Sequence, residues 1–236
     1  MANILAIDSS TEACSVALTY NNQTFSLFEH QPRKHAELIL PMVDKVLNQA
    51  SINLNNLDAI ACCVGPGAFT GLRIAISIAQ GLAYAANLPC ISVSSLQTLA
   101  VEAFNKTDAS FCLSAIDARM NEVYFSAYTK KGNGEVEEIH HAQVIGSQEI
   151  VLSEDFFHQL SQNQRCAKVG NGWENYSFSS QVNSIDAEEV DVIYPKAKMM
   201  LPLAKESFNQ QKLLKPEFLQ PVYLRNNVAK KKSEQK

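Results

Sequence analysis

Residues 57–86 read LDAIACCVGPGAFTGLRIAISIAQGLAYAA and constrain the fold more than any other stretch of this chain. The run LDAIACCV is almost continuously apolar. Such a strand is usually covered on both faces, as at the centre of an α/β sheet. Glycines at 65, 67 and 71 separate it from a helical run over about 70–86 whose only charge is Arg73. A surface helix carries a polar face, whereas one that is apolar all round is covered on two sides. The sheet supplies one cover. The other comes from a second lobe or from another protein, and an interface is the favoured expectation. Ala75, Ser77, Ala79, Gly81, Ala83 and Ala85 are small enough for a further helix to come close. The preceding helix, about 34–50, adds a second row at His35, Leu38 and Met42, and Pro41 within it predicts a kink.

The glycine loop itself, GPGAFTGLR at 65–73, permits two readings. Free N–H groups at a helix start bind anions. Yet the loop has no Lys for a P-loop, and Thr70 stands where a dinucleotide fingerprint needs its third glycine. Thr70 is instead expected as the N-cap of the helix. Asp8-Ser9-Ser10-Thr11 closes the first strand and reads either as a phosphate or metal-water holder or as a plain Asx or Ser turn. Catalytic constellations are missing. The five histidines show neither HxxxH nor HExxH spacing, and there is no GxSxG elbow. Asp117, Arg119 and Glu122 form either an ion-pair cluster or a solvated turn.

The rest of the chain fits a two-lobed α/β protein. NILAIDSS, CSVALTY and QTFSLFE read as an antiparallel meander, and PCISVSS as a further buried strand. The texture changes near residue 107. The expected division is an α/β lobe at 1–106, a smaller lobe at 107–225 and a disordered basic tail at 226–236, with the helix near 196–210 packing back on the first lobe. The chain's net charge is −4, but its last seven residues hold four Lys and one Glu, which leaves the body at −7. An acidic body is a poor nucleic-acid binder on its own. Six cysteines without a CxxC pair are expected as buried free thiols in a reducing cytoplasm. No signal peptide and no membrane span are expected.

Five stretches together, ILAIDSSTEACSVAL, RKHAELILPMV, CVGPGAFTGLRIAISIAQGLA, AIDARMNEVYF and PVYLR, resemble the bacterial TsaB (YeaZ) proteins from the first strand to Arg225. The resemblance implies an actin-like ATPase (ASKHA, ribonuclease H-like) fold of two related βββαβαβα lobes, the second degenerate. It implies an accessory subunit in the synthesis of threonylcarbamoyladenosine at position 37, next to the anticodon, of tRNAs reading codons that begin with A. The paralogous transferase TsaD holds its catalytic metal with an HxxxH pair, and by motif alignment Ser95 and Leu99 fall at those two positions here. No catalytic residue, no metal and no cofactor is therefore expected beyond weak ATP or ADP binding in the chain or at the TsaD contact. The implied partners are TsaD and TsaE, or a second copy when alone, with tRNA reached only through the complex. Two site sets follow. The interface set is His35, Leu38, Met42, Phe69, Leu72, Arg73, Ile76, Ala79 and Ala83; the vestigial phosphate set is Asp8, Ser10, Thr11, Gly65, Gly67, Thr70 and Gly71. The alternative is an independent enzyme of the same fold, an ATP-dependent phosphotransferase or a glycoprotease-like peptidase.

Overall fold

The computed structural model describes residues 2–160 and 164–225, so the basic tail at 226–236 lies outside the described residues. The first half runs β1 (Ile4–Asp8), β2 (Cys14–Tyr20), β3 (Gln23–Glu29), α1 (His35–Gln49), β4 (Ala59–Gly65), α2 (Phe69–Ala85), β5 (Cys90–Ser94) and α3 (Ser95–Lys106). The second half runs β6 (Phe111–Arg119), β7 (Glu122–Lys130), β8 (Val136–Gly146), α4 (Glu154–Leu160), β9 (Cys166–Val169), α5 (Ser180–Asn183), β10 (Ala187–Glu189) and α6 (Ala197–Asn209). Each half is thus βββαβαβα. The sheets are ordered β3-β2-β1-β4-β5 and β8-β7-β6-β9-β10, the same order twice. In both, the first three strands are antiparallel and the last two run parallel to the first. This is the actin-like architecture that the sequence resemblance implies. The second sheet is complete. Its degeneracy lies in the helices, of seven residues in α4 and four in α5.

Strand alternation sorts the core into layers. In β1, Ile4 and Ala6 face a central layer shared with α3 and α6, while Leu5 and Ile7 face an outer layer under α1 and α2. In β6, Cys112 and Ile116 join the central layer, and Phe111, Leu113 and Ala115 face α4 and α5. The two inner helices therefore lie between the sheets. α6 packs on β1 and β2 of the first sheet, and α3 packs on β6, β7 and β9 of the second. Ser15 Oγ on β2 accepts the Ala197 N–H at 2.8 Å, satisfying a donor at the start of α6 from a strand. Buried Glu102 on α3 receives the Lys196 ammonium at 2.6 Å, which ties the two helices together.

Pro41 sits inside α1 without ending it, on an exposed face. All six cysteines are free and buried, and burial pushes their thiols up. Among the described residues, no helix is long and apolar enough to cross a membrane.

Candidate functional site

The sheets present the ends of β1 and β6 to each other across a cleft of about 450 Å³. On the first wall the chain turns at Asp8, whose Oδ1 accepts the Ser10 N–H at 2.7 Å. Asp8 Oδ2, Ser10 Oγ and Thr11 Oγ1 are buried and carry no hydrogen bond of normal geometry. Loss of water pushes the Asp8 carboxyl up to about 6, against the pull of the Ser10 N–H. His35, the first residue of α1, donates from Nε2 to the Thr11 carbonyl at 2.9 Å.

The second wall repeats the turn with different chemistry. Asp117 Oδ1 accepts the Arg119 N–H at 2.7 Å, matching Asp8 and Ser10. Here, however, the same oxygen also accepts the Tyr176 hydroxyl at 2.7 Å, and the Arg119 guanidinium lies 3.0 Å from Oδ2. Arg119 reaches across to Glu12 of the first lobe at 3.6 Å. Of the three residues read as a cluster or a solvated turn, Asp117 and Arg119 pair, while Glu122 pairs with Arg225 instead.

The glycines make room for the chain's own backbone. A Cβ at Gly67 would lie 2.2 Å from the Ser10 carbonyl oxygen, and one at Gly71 would lie 2.0 Å from that of Ser9. The Ala68 N–H donates to the Ser10 carbonyl at 2.7 Å, and Ser9 Oγ to the Gly71 carbonyl at 2.8 Å. The loop thus clamps the Asp8 turn from behind. The second lobe does the same: a Cβ at Gly170 would lie 2.1 Å from the Ala115 carbonyl oxygen. Gly65 has a φ of +111°, which also favours glycine. Thr70 is not the N-cap. Ala68 holds that position without a side-chain cap, and Thr70 is exposed within the first turn of α2. With Ala68 at the cap, the first turn is anchored by Ala68's own N–H on Ser10 rather than by a hydroxyl.

Ser95 and Leu99 have structural roles. The buried Ser95 hydroxyl donates to the Pro66 carbonyl, and Leu99 is fully buried beside Gly170. Among the described residues, no group of three or more His, Cys, Asp or Glu could hold a metal ion.

The expected interface splits in two. His35, Met42, Leu72, Ile76, Ala79 and Ala83 are buried inside the chain, Leu38 is half-buried, and Phe69 and Arg73 are exposed. Ala75, Ala79 and Ala83 turn their small side chains to the sheet. The open face of α2 is the row Phe69, Arg73, Ser77, Gly81 and Ala85, four residues apart, with Tyr84 beside it at 82% exposure. Ile74, Ile78 and Leu82 flank this row, half-buried. One charge in the helix was too little for a sequence pattern to tell the two small-residue rows apart.

Residues that pattern reading missed complete the cleft. Tyr176 and Asn171, whose Oδ1 accepts the Asp117 N–H at 3.0 Å, come from the second lobe. Tyr223 and Arg225 come from the extended C-terminal segment. The only sequence signals were the glycine loop at VGNGW and the segment PVYLR.

The comparisons agree with this geometry. Residues 29–233 match the family model TsaD, described as tRNA N6-adenosine threonylcarbamoyltransferase. The tRNA threonylcarbamoyladenosine biosynthesis protein TsaB of Escherichia coli strain K12 is 43% identical over 97% of both chains. Its namesake in Haemophilus influenzae is 41% identical over 97% of this chain and 96% of its own. Among solved structures, YeaZ from Pseudomonas aeruginosa superimposes with a TM-score of 0.83 at 36% identity, covering 95% of this chain and all of that one. Full-length identity to the two named relatives decides the chain's place: it belongs to the TsaB (YeaZ) family, within the wider TsaD domain family.

Proposed function

We propose that this chain is a non-catalytic subunit of the machinery that makes threonylcarbamoyladenosine in tRNA. In this reading it binds a TsaD-type transferase and activates it for threonylcarbamoyl transfer to the adenosine at position 37 of tRNAs decoding codons that begin with A. TsaE docks on that pair, and tRNA is met only through the complex, in the cytoplasm. The names of the full-length relatives support the pathway.

The observation that carries the partner-binding part is Gly81. It lies mid-helix on the open face of α2, and a Cβ there would meet nothing within 4 Å. Glycine in a helix interior costs about 0.5–1 kcal/mol relative to alanine. Gly71, in the first turn of the same helix, answers that cost with a close contact inside the chain; Gly81 does not. Close approach of another chain along Ser77, Gly81 and Ala85 gives it a reason. The same face pairs with a second copy when the partner is missing.

The cleft supports the non-catalytic part. A phosphate clamp needs free groups on both walls. Only the Asp8 wall offers them, and Arg119 and Tyr176 occupy Asp117. We therefore assign no tight nucleotide site to the chain alone.

Light scattering after size exclusion tests the reading, on the chain alone and mixed with its TsaD-type paralogue. A homodimer that converts to a heterodimer is expected. A monomer indifferent to the paralogue overturns it. ATP turnover by the purified chain, lost in Asp8→Ala, would favour the independent enzyme instead.

A further inference from the structure

The C-terminal segment crosses the mouth of the cleft and is fastened to both lobes. On the first lobe, Leu219 is fully buried in the outer core, and Gln80 Nε2 donates to the carbonyls of Pro216 and Leu219, each at 3.0 Å. The Val222 N–H donates to the Val64 carbonyl at 2.9 Å, at the end of β4. The Tyr223 hydroxyl accepts from Arg73 Nε at 3.0 Å, its ring stacks on Phe69 with centroids 5.7 Å apart, and the Arg73 guanidinium lies 3.7 Å above the Phe69 ring. On the second lobe, the Arg225 guanidinium donates to the Ala118 carbonyl at 3.0 Å and to the Glu122 carboxylate. Both acceptors flank the Asp117 turn. Among the described residues of this segment, no other charged group reaches the second lobe.

We propose that residues 219–225 form a clasp that sets how far the two lobes open, and that a partner seated on α2 grips it. The first part stands on the contacts just given. Only one charged side chain, Arg225, holds the strap to the second lobe, so the strap's grip on that lobe is a contact that one substitution removes. Arg119 and Glu12 also bridge the cleft, both half or more exposed, which is weak closure. The second part rests on the partner-docking reading. Phe69, Arg73 and Tyr223 form one preassembled exposed cluster of the aromatic and arginine composition that dominates interfaces, and two of its members belong to the docking helix while the third belongs to the clasp. A partner covering Phe69 and Arg73 therefore also covers Tyr223, and fixing Tyr223 fixes Arg225 two residues on. The cleft is thereby coupled to assembly.

Amide hydrogen exchange read by mass spectrometry tests this on the full chain, following residues 8–12 and 116–121 on the two walls with α2 as internal control. Arg225→Ala and Glu122→Gln are each expected to speed exchange at both walls by about tenfold, the worth of one charge-assisted contact, while α2 is unchanged. The charge swap Arg225→Glu with Glu122→Arg is expected to restore part of the protection, because it remakes the ion pair but leaves the Ala118 carbonyl without its donor. Unchanged walls overturn the clasp, as does acceleration that includes α2, which would mark a general loss of stability. Adding the TsaD-type partner is expected to protect both walls of the parent chain but not of Arg225→Ala, with both still bound. Equal protection of the two overturns the coupling. If the partner binds neither chain, the docking reading fails and the coupling with it, while the clasp is judged by the partner-free comparison.

Discussion

Asp8 and Asp117 each accept the backbone N–H two residues on at 2.7 Å, yet only Asp8 keeps a carboxylate oxygen without a partner. The two turns occupy the same place in two sheets of the same strand order. The fold therefore repeats, and the chemistry does not. Arg119 and Tyr176 pair with one acid, while burial is the largest influence on the other, opposed by the Ser10 N–H. The cleft therefore sets a wall with an unpartnered carboxylate oxygen against one whose acid is paired on both oxygens.

The Asp8 carboxyl gives a pH signature. Its pKa is raised from 3.8 to about 6 in the fold, so the folded chain holds the proton more tightly than the unfolded one. Stability from this group is complete below pH 4 and is lost as pH rises through 6. The ionised form then costs about 2–3 kcal/mol. Asn at this position still accepts the Ser10 N–H and carries no charge to bury. Asp8→Asn is expected to melt several degrees above the parent at pH 7.5, with the gap closing near pH 4. Thermal denaturation followed by circular dichroism across that range measures it; a gap independent of pH refutes the assignment.

Glycines 71 and 81 share one helix and should respond oppositely to the same change. At Gly71 a Cβ would lie 2.0 Å from the Ser9 carbonyl oxygen, a rigid backbone group. Gly71→Ala is expected to cost more than about 2 kcal/mol or to prevent folding. At Gly81 the space is open, and Gly81→Ala is expected to add about 0.5–1 kcal/mol to the isolated chain. The same variant should bind the TsaD-type partner more weakly, because the methyl enters the approach path. Urea unfolding and a binding titration read the two effects separately. A Gly81→Ala chain with unchanged affinity would remove the reason given for this glycine.

How far the sequence carried the fold depends on the range of the signal. The strand AIACCVG announced itself as an apolar run covered on both faces, and ILAID with the rest of the meander by alternation. The second lobe was harder to see because α4 and α5 are too short to show helical periodicity. The cleft was legible at Asp8 and at the glycines, but the purpose of the glycines was not. A glycine that admits a ligand and one that admits the Ser9 carbonyl look the same in one dimension. Tyr176 lies 59 residues from Asp117 and reaches it only through the fold. The face of α2 was misassigned because Ala79 and Ser77 are both small, and only packing distinguishes them.

That last distinction is testable on two neighbouring positions. Ala79 is fully buried against the sheet, so Ala79→Glu places an unpaired carboxylate in the core. Such a charge costs several kcal/mol, and the variant is expected to unfold or to lose most of its melting temperature. Ser77 is exposed on the open row, where Ser77→Glu is expected to change stability by less than about 0.5 kcal/mol. There the charge meets the partner instead, and desolvating it should abolish pairing with a second copy and with the TsaD-type transferase alike. Circular dichroism melts and light scattering on both variants separate the outcomes. A stable Ser77→Glu chain that still dimerises and still binds the transferase would show that the row Phe69, Arg73, Ser77, Gly81 and Ala85 is not the docking face, and the partner surface would then have to lie away from α2.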